Sequence, residues 1–311
     1  MVAQGRWLVP SPLVTSNLEI LDAALAKIND RYVFPELTAG IDAALRGRAA
    51  RGEYDGLAGP ELCAAVTGHL QEVRPDKHLR LLWSDEAVPV EEEDSPEEEK
   101  ERWAEYYRRG NFGIARAEHL DGNLGYLDLR FIPDADAGYQ AFGAAMQLVA
   151  HTDGLVIDLR NCRGGSPNGV ALWCSFLFAD DEVHLNDIYD RETDSTRQFW
   201  TYPHLPAPRY LDRPVTVLTA AFTFSGGEEL AYNLQALKRA TLIGETTRGG
   251  AHPTDRFALT PHIAVTVPTA RSINPVTGTN WEGVGVVPDI AVKAEDALET
   301  ALSQLREPAQ G

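Results

Sequence analysis

Apolar residues recur at helical spacing along the first quarter of the chain. After Ser16, a residue type that favours helix N-caps, the positions Leu18, Ile20, Leu21, Ala24, Leu25 and Ile28 predict a helix beginning there. The segment Tyr32-Val33-Phe34-Pro35 predicts a turn, and a second helix runs through Ala43, Ala44 and Leu45. Pro60 opens a third, with Leu62, Cys63, Val66, Leu70 and Val73 on one side. Such short helices bury little among themselves, so residues 1–85 are expected to form a small N-terminal helical domain docked on something larger. Residues 76–83 within it read as a short strand. From residue 123 the pattern changes to strands alternating with helices. Strands are predicted over 124–131, 154–159, 215–219 and 240–243, and helices over 137–150, 169–178 and 226–237. Residues 256–260 and 263–268 read as a hairpin around Thr260-Pro261-His262. The strands are near-continuous apolar runs, which suits strands covered on both faces. Repeated β-α-β order predicts an α/β core over 112–311.

Charge changes this picture in one place. Between the two regions lies an acidic stretch, 86–111, expected to act as a linker. Its run Glu91 to Glu101 is expected to be exposed and mobile, and Trp103, Tyr106 and Tyr107 give its end the means to fold into a helix. The whole chain carries 46 acidic against 28 basic residues, a formal charge of -18, which argues against a nucleic-acid partner. The 3 cysteines, Cys63, Cys162 and Cys174, fit neither a disulfide framework nor a zinc site. Reduced, packed thiols suit the cytoplasm, the expected compartment. Met1 to Ile20 holds Arg6, Pro10 and Pro12 and no apolar stretch long enough for a signal peptide. No window approaches the ~18 continuous apolar residues of a membrane span, so no membrane partner is expected.

Two segments have the residue types for chemistry. In Val215 to Leu230 a strand leads through a short loop into Ser225-Gly226-Gly227 and a helix. A serine there meets free backbone N–H groups and the positive end of the helix dipole, which stabilise an oxyanion. The same serine can instead be a plain N-cap, with Glu228 completing a capping box. In Val156 to Gly169 another buried strand runs into Gly164-Gly165 and a helix. Paired glycines let the backbone approach a substrate, or simply make a tight turn.

Together these segments resemble the serine peptidase family that includes the tail-specific (C-terminal processing) peptidases, tricorn and the interphotoreceptor retinoid-binding proteins. The matching residues are Gly125-Tyr126-Leu127, Asp158-Leu159-Arg160-Asn161 with Gly164-Gly165, Phe224-Ser225 with Glu229, Gly244 to Thr247 with Gly249-Gly250, and Glu282 to Ile290, in family order over 123–292. The helical N-terminus with Asp76 to Arg80 is similar to the retinoid-binding-protein-like branch. No peptide-binding PDZ module separates His78 from the core, which again favours that branch or tricorn. The resemblance implies a Clp protease/crotonase-like fold, a spiral of β-β-α units. It also implies Ser225 as nucleophile, and an oxyanion hole from Gly226 with Gly164 or Gly165.

One position departs from the pattern. Tail-specific peptidases place a lysine base where this chain has Gly250. The neighbouring Arg248 stays protonated and cannot serve. Tricorn relatives use a histidine and a late glutamate, which here correspond to His78 and Glu282. Lys77 stands where tricorn has a serine. His252 is the rival base and Glu245 the rival carboxylate. The function expected is hydrolysis of a peptide or protein substrate through an acyl-enzyme, with no metal or organic cofactor. The other readings are a non-catalytic module binding an apolar ligand, and acyl transfer or hydrolysis on a small metabolite. Oligomeric state is not specified by these features.

Overall fold

A computed structural model describes residues 16–87, 96–179 and 182–306. In chain order, the elements before the acidic stretch are α1 (Asn17–Arg31), α2 (Pro35–Ala50), α3 (Gly59–Val73) and β1 (Arg80–Trp83). Then follow α4 (Pro96–Arg109), β2 (Ile114–Leu120), β3 (Leu124–Leu129), α5 (Ala135–Val149), β4 (Gly154–Asp158) and α6 (Pro167–Ser175). The remainder comprises β5 (His184–Asp190), β6 (Ser195–Trp200), β7 (Val215–Thr219), α7 (Gly226–Ala236), β8 (Thr241–Gly244), β9 (Thr254–Ala258), β10 (Ile263–Pro268), β11 (Ala270–Ile273), β12 (Ile290–Ala291) and α8 (Ala297–Arg306). Among the described residues no helix is long and apolar enough to cross a membrane.

Internal contacts divide the chain into two units. The smaller comprises Met1–Pro75, Leu79–Glu93 and Asp255–Val267. Here Ser16 caps α1 in both directions: its hydroxyl accepts from Glu19 N–H, and its own N–H donates to the Glu19 carboxylate. Ile20, Leu21, Leu25 and Ile28 of α1 are buried, as are Leu62, Val66 and Leu70 of α3. Strand β1 pairs antiparallel with β10 in a three-stranded sheet, β1-β10-β9. The hairpin expected in the C-terminal core therefore groups with the N-terminal helices, because its inner strand pairs with β1. The expected strand over 76–83 forms only from Arg80. Asp76–His78 belongs instead to the larger unit.

The larger unit is built on a six-stranded sheet of order β12-β8-β7-β4-β3-β2. Strands β3, β4, β7, β8 and β12 run parallel, and β2 is antiparallel to β3. Alternate residues of each strand face different cores. Leu127, Leu155, Ile157, Val217 and Leu242 pack in the cluster that includes Phe142, Val170, Leu230 and Leu234 of α5, α6 and α7. Tyr126, Val156, Leu218 and Ile243 pack with Ala297 and Ala301 of α8. Coverage on both faces is why these strands read as unbroken apolar runs. A second, antiparallel sheet joins β11, β5 and β6. Of the acidic run, residues 91–95 lie outside the described residues, and from Pro96 the chain is helical in α4.

Candidate active site

Ser225 sits where β7 gives way to α7, at the C-terminal ends of the parallel strands. The loop between them is pinned to the segment that follows β4. Thr223 Oγ1 donates to the carbonyl of Leu159 at 2.8 Å, and Phe224 N–H donates to Cys162 O at 3.0 Å. These bonds force a sharp bend, and Ser225 takes φ 53°, ψ -122°, a conformation that costs a non-glycine residue on the order of 1–3 kcal/mol. Its hydroxyl makes no capping hydrogen bond with the first turn of α7. Only the reverse half of a capping box is used: Ser225 N–H donates to Glu228 Oε2 at 2.8 Å. The hydroxyl is thus free of the structural task that the plain N-cap reading assigned to it.

Glu228 is a fully buried hub. Besides Ser225 N–H it accepts from Thr247 Oγ1 and from the backbone N–H groups of Gly249 and Gly250. Burial acts to push its carboxyl above the ordinary range, against these four hydrogen bonds. One carboxylate thereby ties the backbone of Ser225 to Gly249 and Gly250.

The Gly164-Gly165 turn lies alongside, since β4 and β7 are neighbours. A Cβ at Gly164 would stand 2.7 Å from Ser225 Cβ. The turn is stitched to the end of β3 by Ile132 N–H to Gly164 O and Ser166 N–H to Ile132 O. Gly165, at φ 148°, approaches so closely that a Cβ would fall 1.9 Å from Ile132 O, and only glycine fits. Among the described residues no acceptor takes the N–H of Gly165 or Gly226, whose backbones are in close contact.

His78 packs against Phe224, the residue before Ser225. Its ring stacks on Phe224, with centroids 4.5 Å apart and planes at 28°. A Cβ at Gly250 would lie 2.3 Å from Phe224 Cε2 and 2.7 Å from His78 Cε1. The volume that a side chain at position 250 would enter is therefore occupied by the imidazole and the phenyl ring. One nitrogen of His78 and one carboxylate oxygen each of Asp76 and Glu282 lie within 4.8 Å of one another.

The short imidazole–carboxylate bond in this cluster joins a different pair. His252 Nδ1 stands 2.7 Å from Asp76 Oδ2, with both side chains almost wholly buried. It is also 3.5 Å from Glu282 Oε2. Asp76 Oδ1 accepts the backbone N–H of His78 at 3.2 Å. Glu282 accepts Lys77 N–H at 3.1 Å and Ala251 N–H at 2.6 Å. Burial opposes ionisation of Asp76, but the His252 bond, the two imidazoles and the His78 N–H hold its carboxyl below the ordinary range. Glu282 is pushed up to about 7, by burial first and then by the charge of Asp76. An ionised carboxylate only accepts, so the proton between Asp76 and His252 resides on Nδ1.

Ser225, Gly226, Gly164, Gly165, His78 and Glu282 thus gather in one place. Glu245 does not join them. Its carboxylate accepts from Ala221 N–H and Ala294 N–H instead. Asp76 escaped the sequence reading as a participant. Its position two residues before His78, with a side chain able to bond that residue's N–H, was the signal available. Asp76, His78 and Glu282 are the set of the described residues able to hold a metal ion. Their oxygens accept from His252 Nδ1 and from the backbone N–H groups of Lys77, His78 and Ala251.

A family model described as Peptidase family S41 matches residues 123–292. Carboxyl-terminal-processing peptidase 2, chloroplastic, of Arabidopsis thaliana is 32% identical over 146 residues, 45% of this chain and 26% of that protein. The chain thus spans about a quarter of that relative's length. A lipoprotein from Streptococcus agalactiae shares the fold, with TM-score 0.61 at 15% identity, over 97% of this chain and 99% of that one. The tricorn protease shares it with TM-score 0.56 at 13% identity, over 94% of this chain and 37% of that one. The mixed α/β arrangement is accordingly consistent with the Clp/crotonase-like type.

Proposed function

The chain belongs to peptidase family S41, and from that premise we propose that it hydrolyses peptide bonds in a peptide or protein substrate through an acyl-enzyme on Ser225. The observation that carries this reading is the bent backbone at Ser225, whose hydroxyl is not used as a helix cap. His78 is the base. Its ring lies against Phe224 and Gly250, in the volume that tail-specific peptidases give to lysine, whereas His252 is buried and bonded to Asp76. Glu282 is the orienting carboxylate, through the backbone of Lys77 and its place beside His78.

In this mechanism Ser225 Oγ attacks the scissile carbonyl carbon as His78 takes its proton. The C=O electron pair moves onto oxygen, where the N–H groups of Gly165 and Gly226 receive it. The C–N bond then breaks and the leaving amine takes the proton from His78. Water, deprotonated by His78, attacks the ester and restores Ser225 as the acid leaves. A reducing compartment such as the cytoplasm is part of the proposal, supported by three free, buried cysteines.

The test is labelling with a fluorophosphonate, followed by mapping of the adduct by mass spectrometry. The expected result is a single adduct on Ser225, formed faster as pH rises through about 6.5, the ordinary histidine value. A folded protein that gives no adduct would be a binding module, and an adduct elsewhere would displace Ser225 from this role.

A further inference from the structure

Asp76–His78 is an unusual piece of chain. It belongs to the larger unit, while the residues before and after it belong to the smaller. It precedes β1 and lies in no strand, so the β-ladder does not fix its register. What holds it is a set of long-range polar bonds, and one of them crosses 176 residues to His252.

We propose that the buried Asp76–His252 pair is a positioning device, which sets where the His78 imidazole stands relative to Ser225. The inference rests on the assignment of Ser225 and His78 made above. Asp76 is a two-sided acceptor: Oδ1 takes the N–H of His78, and Oδ2 takes Nδ1–H of His252. His252 ends the turn whose Gly249 and Gly250 N–H groups are held by Glu228, and Glu228 also holds Ser225 N–H. A continuous run of bonds therefore leads from the nucleophile's backbone through Glu228, the turn, His252 and Asp76 to the base's backbone. His252, only 3% exposed, is shut away from substrate. It acts through Asp76 and His78, as a positioning residue. Its Nδ1–H also lies between two carboxyl groups, 2.7 Å from Asp76 and 3.5 Å from Glu282. It thereby stands between the two carboxyl groups that accept the N–H groups of Lys77 and His78.

Three substitutions separate positioning from other roles. Asparagine at 252 puts an amide N–H where Nδ1 stood, glutamine puts one near Nε2, and leucine offers neither. The readout is the reaction of Ser225 with a fluorophosphonate, resolved into the probe's binding constant and the maximal rate of adduct formation. H252Q and H252L are expected to lower the maximal rate by about 10–100-fold, the scale of a small misplacement of a reacting group, with binding changed less than about threefold. H252N is expected to restore the rate to within a few-fold of wild type. D76N should lose as much as H252L, and the double variant no more than either alone. If H252L does not fold, the contrast between H252N and H252Q decides. Equal loss in H252N and H252Q overturns the proposal, because His252 would then be needed for its own proton. So does an H252Q variant with wild-type rate. Failure of the underlying assignment looks different: H78Q would react at the wild-type rate whatever stands at 252.

Discussion

Ser225 follows Phe224, on whose ring the His78 imidazole stacks, yet the two residues are held by different kinds of structure. Ser225 is fixed by regular elements. A buried strand ends before it, a helix begins after it, and Glu228, three residues on, receives its N–H. His78 sits on an irregular tripeptide whose ties reach 176 residues to His252 and 205 residues to Glu282. The place of Ser225 is a local property of its own segment. The place of His78 is a property of the assembled larger unit, and it can be altered by changes far away in sequence.

The sharpest way to break this contrast is at the nucleophile. S225A is expected to reduce turnover by at least about 10⁴-fold, with no loss of thermal stability, because the hydroxyl has no capping bond to forfeit. A kinetic assay paired with a melting curve checks both halves; an equally large loss of stability would return Ser225 to a structural role. Next is H78Q, expected to cost about 10²–10⁴-fold in kcat and to abolish the rise of activity through about pH 6.5. A retained pH profile in H78Q would move the base elsewhere.

Smaller effects probe the frame. In E228Q an amide NH₂ would face two of the four donors now gathered on that carboxylate. Leaving them unsatisfied is expected to cost about 2–4 kcal/mol, read from denaturant midpoints. The next residue gives the opposite case. Glu229 is buried, and burial pushes its carboxyl up to about 7, an effect the nearby Asn186 side chain only partly offsets. Between its ordinary value of 4.5 and about 7 the folded chain keeps a proton that the unfolded chain has released. Wild-type stability should therefore fall as pH rises through that window. E229Q, which cannot ionise, should match wild type below the window and exceed it above by roughly 3 kcal/mol. Urea titrations at pH 4.5, 6 and 8 would reveal it, and parallel curves for the two proteins would count against a buried, proton-holding Glu229.

Legibility in the sequence followed the same division. The strands at 154–158 and 215–219 announced themselves because both faces are covered, and the bends after them because Gly164-Gly165 and Ser225-Gly226 sit where a strand must stop. The hairpin of β5 and β6 and the strand β2 gave no such signal. β6 has one buried residue, Phe199, and β2 one, Ile114, so neither alternation nor an apolar run marks them. The helix at Pro96–Arg109 begins inside an acidic run whose polarity hid its start. The proposed site residues Ser225, His78 and Glu282 lie in ordered motifs of the sequence. The bond between Asp76 and His252 left no such mark, since no periodicity links two residues that meet only after folding.

Gly250 has a consequence for the routes open to this site in evolution and in engineering. A Cβ there collides with the rings of Phe224 and His78, so the histidine solution and the lysine solution compete for one space. G250K alone would displace His78 before its amine could reach Ser225, and H78G alone would leave a serine without a base. Each single step is expected to be inactive. On the proposed assignment, exchanging a histidine base for a lysine would call for changes at both 78 and 250.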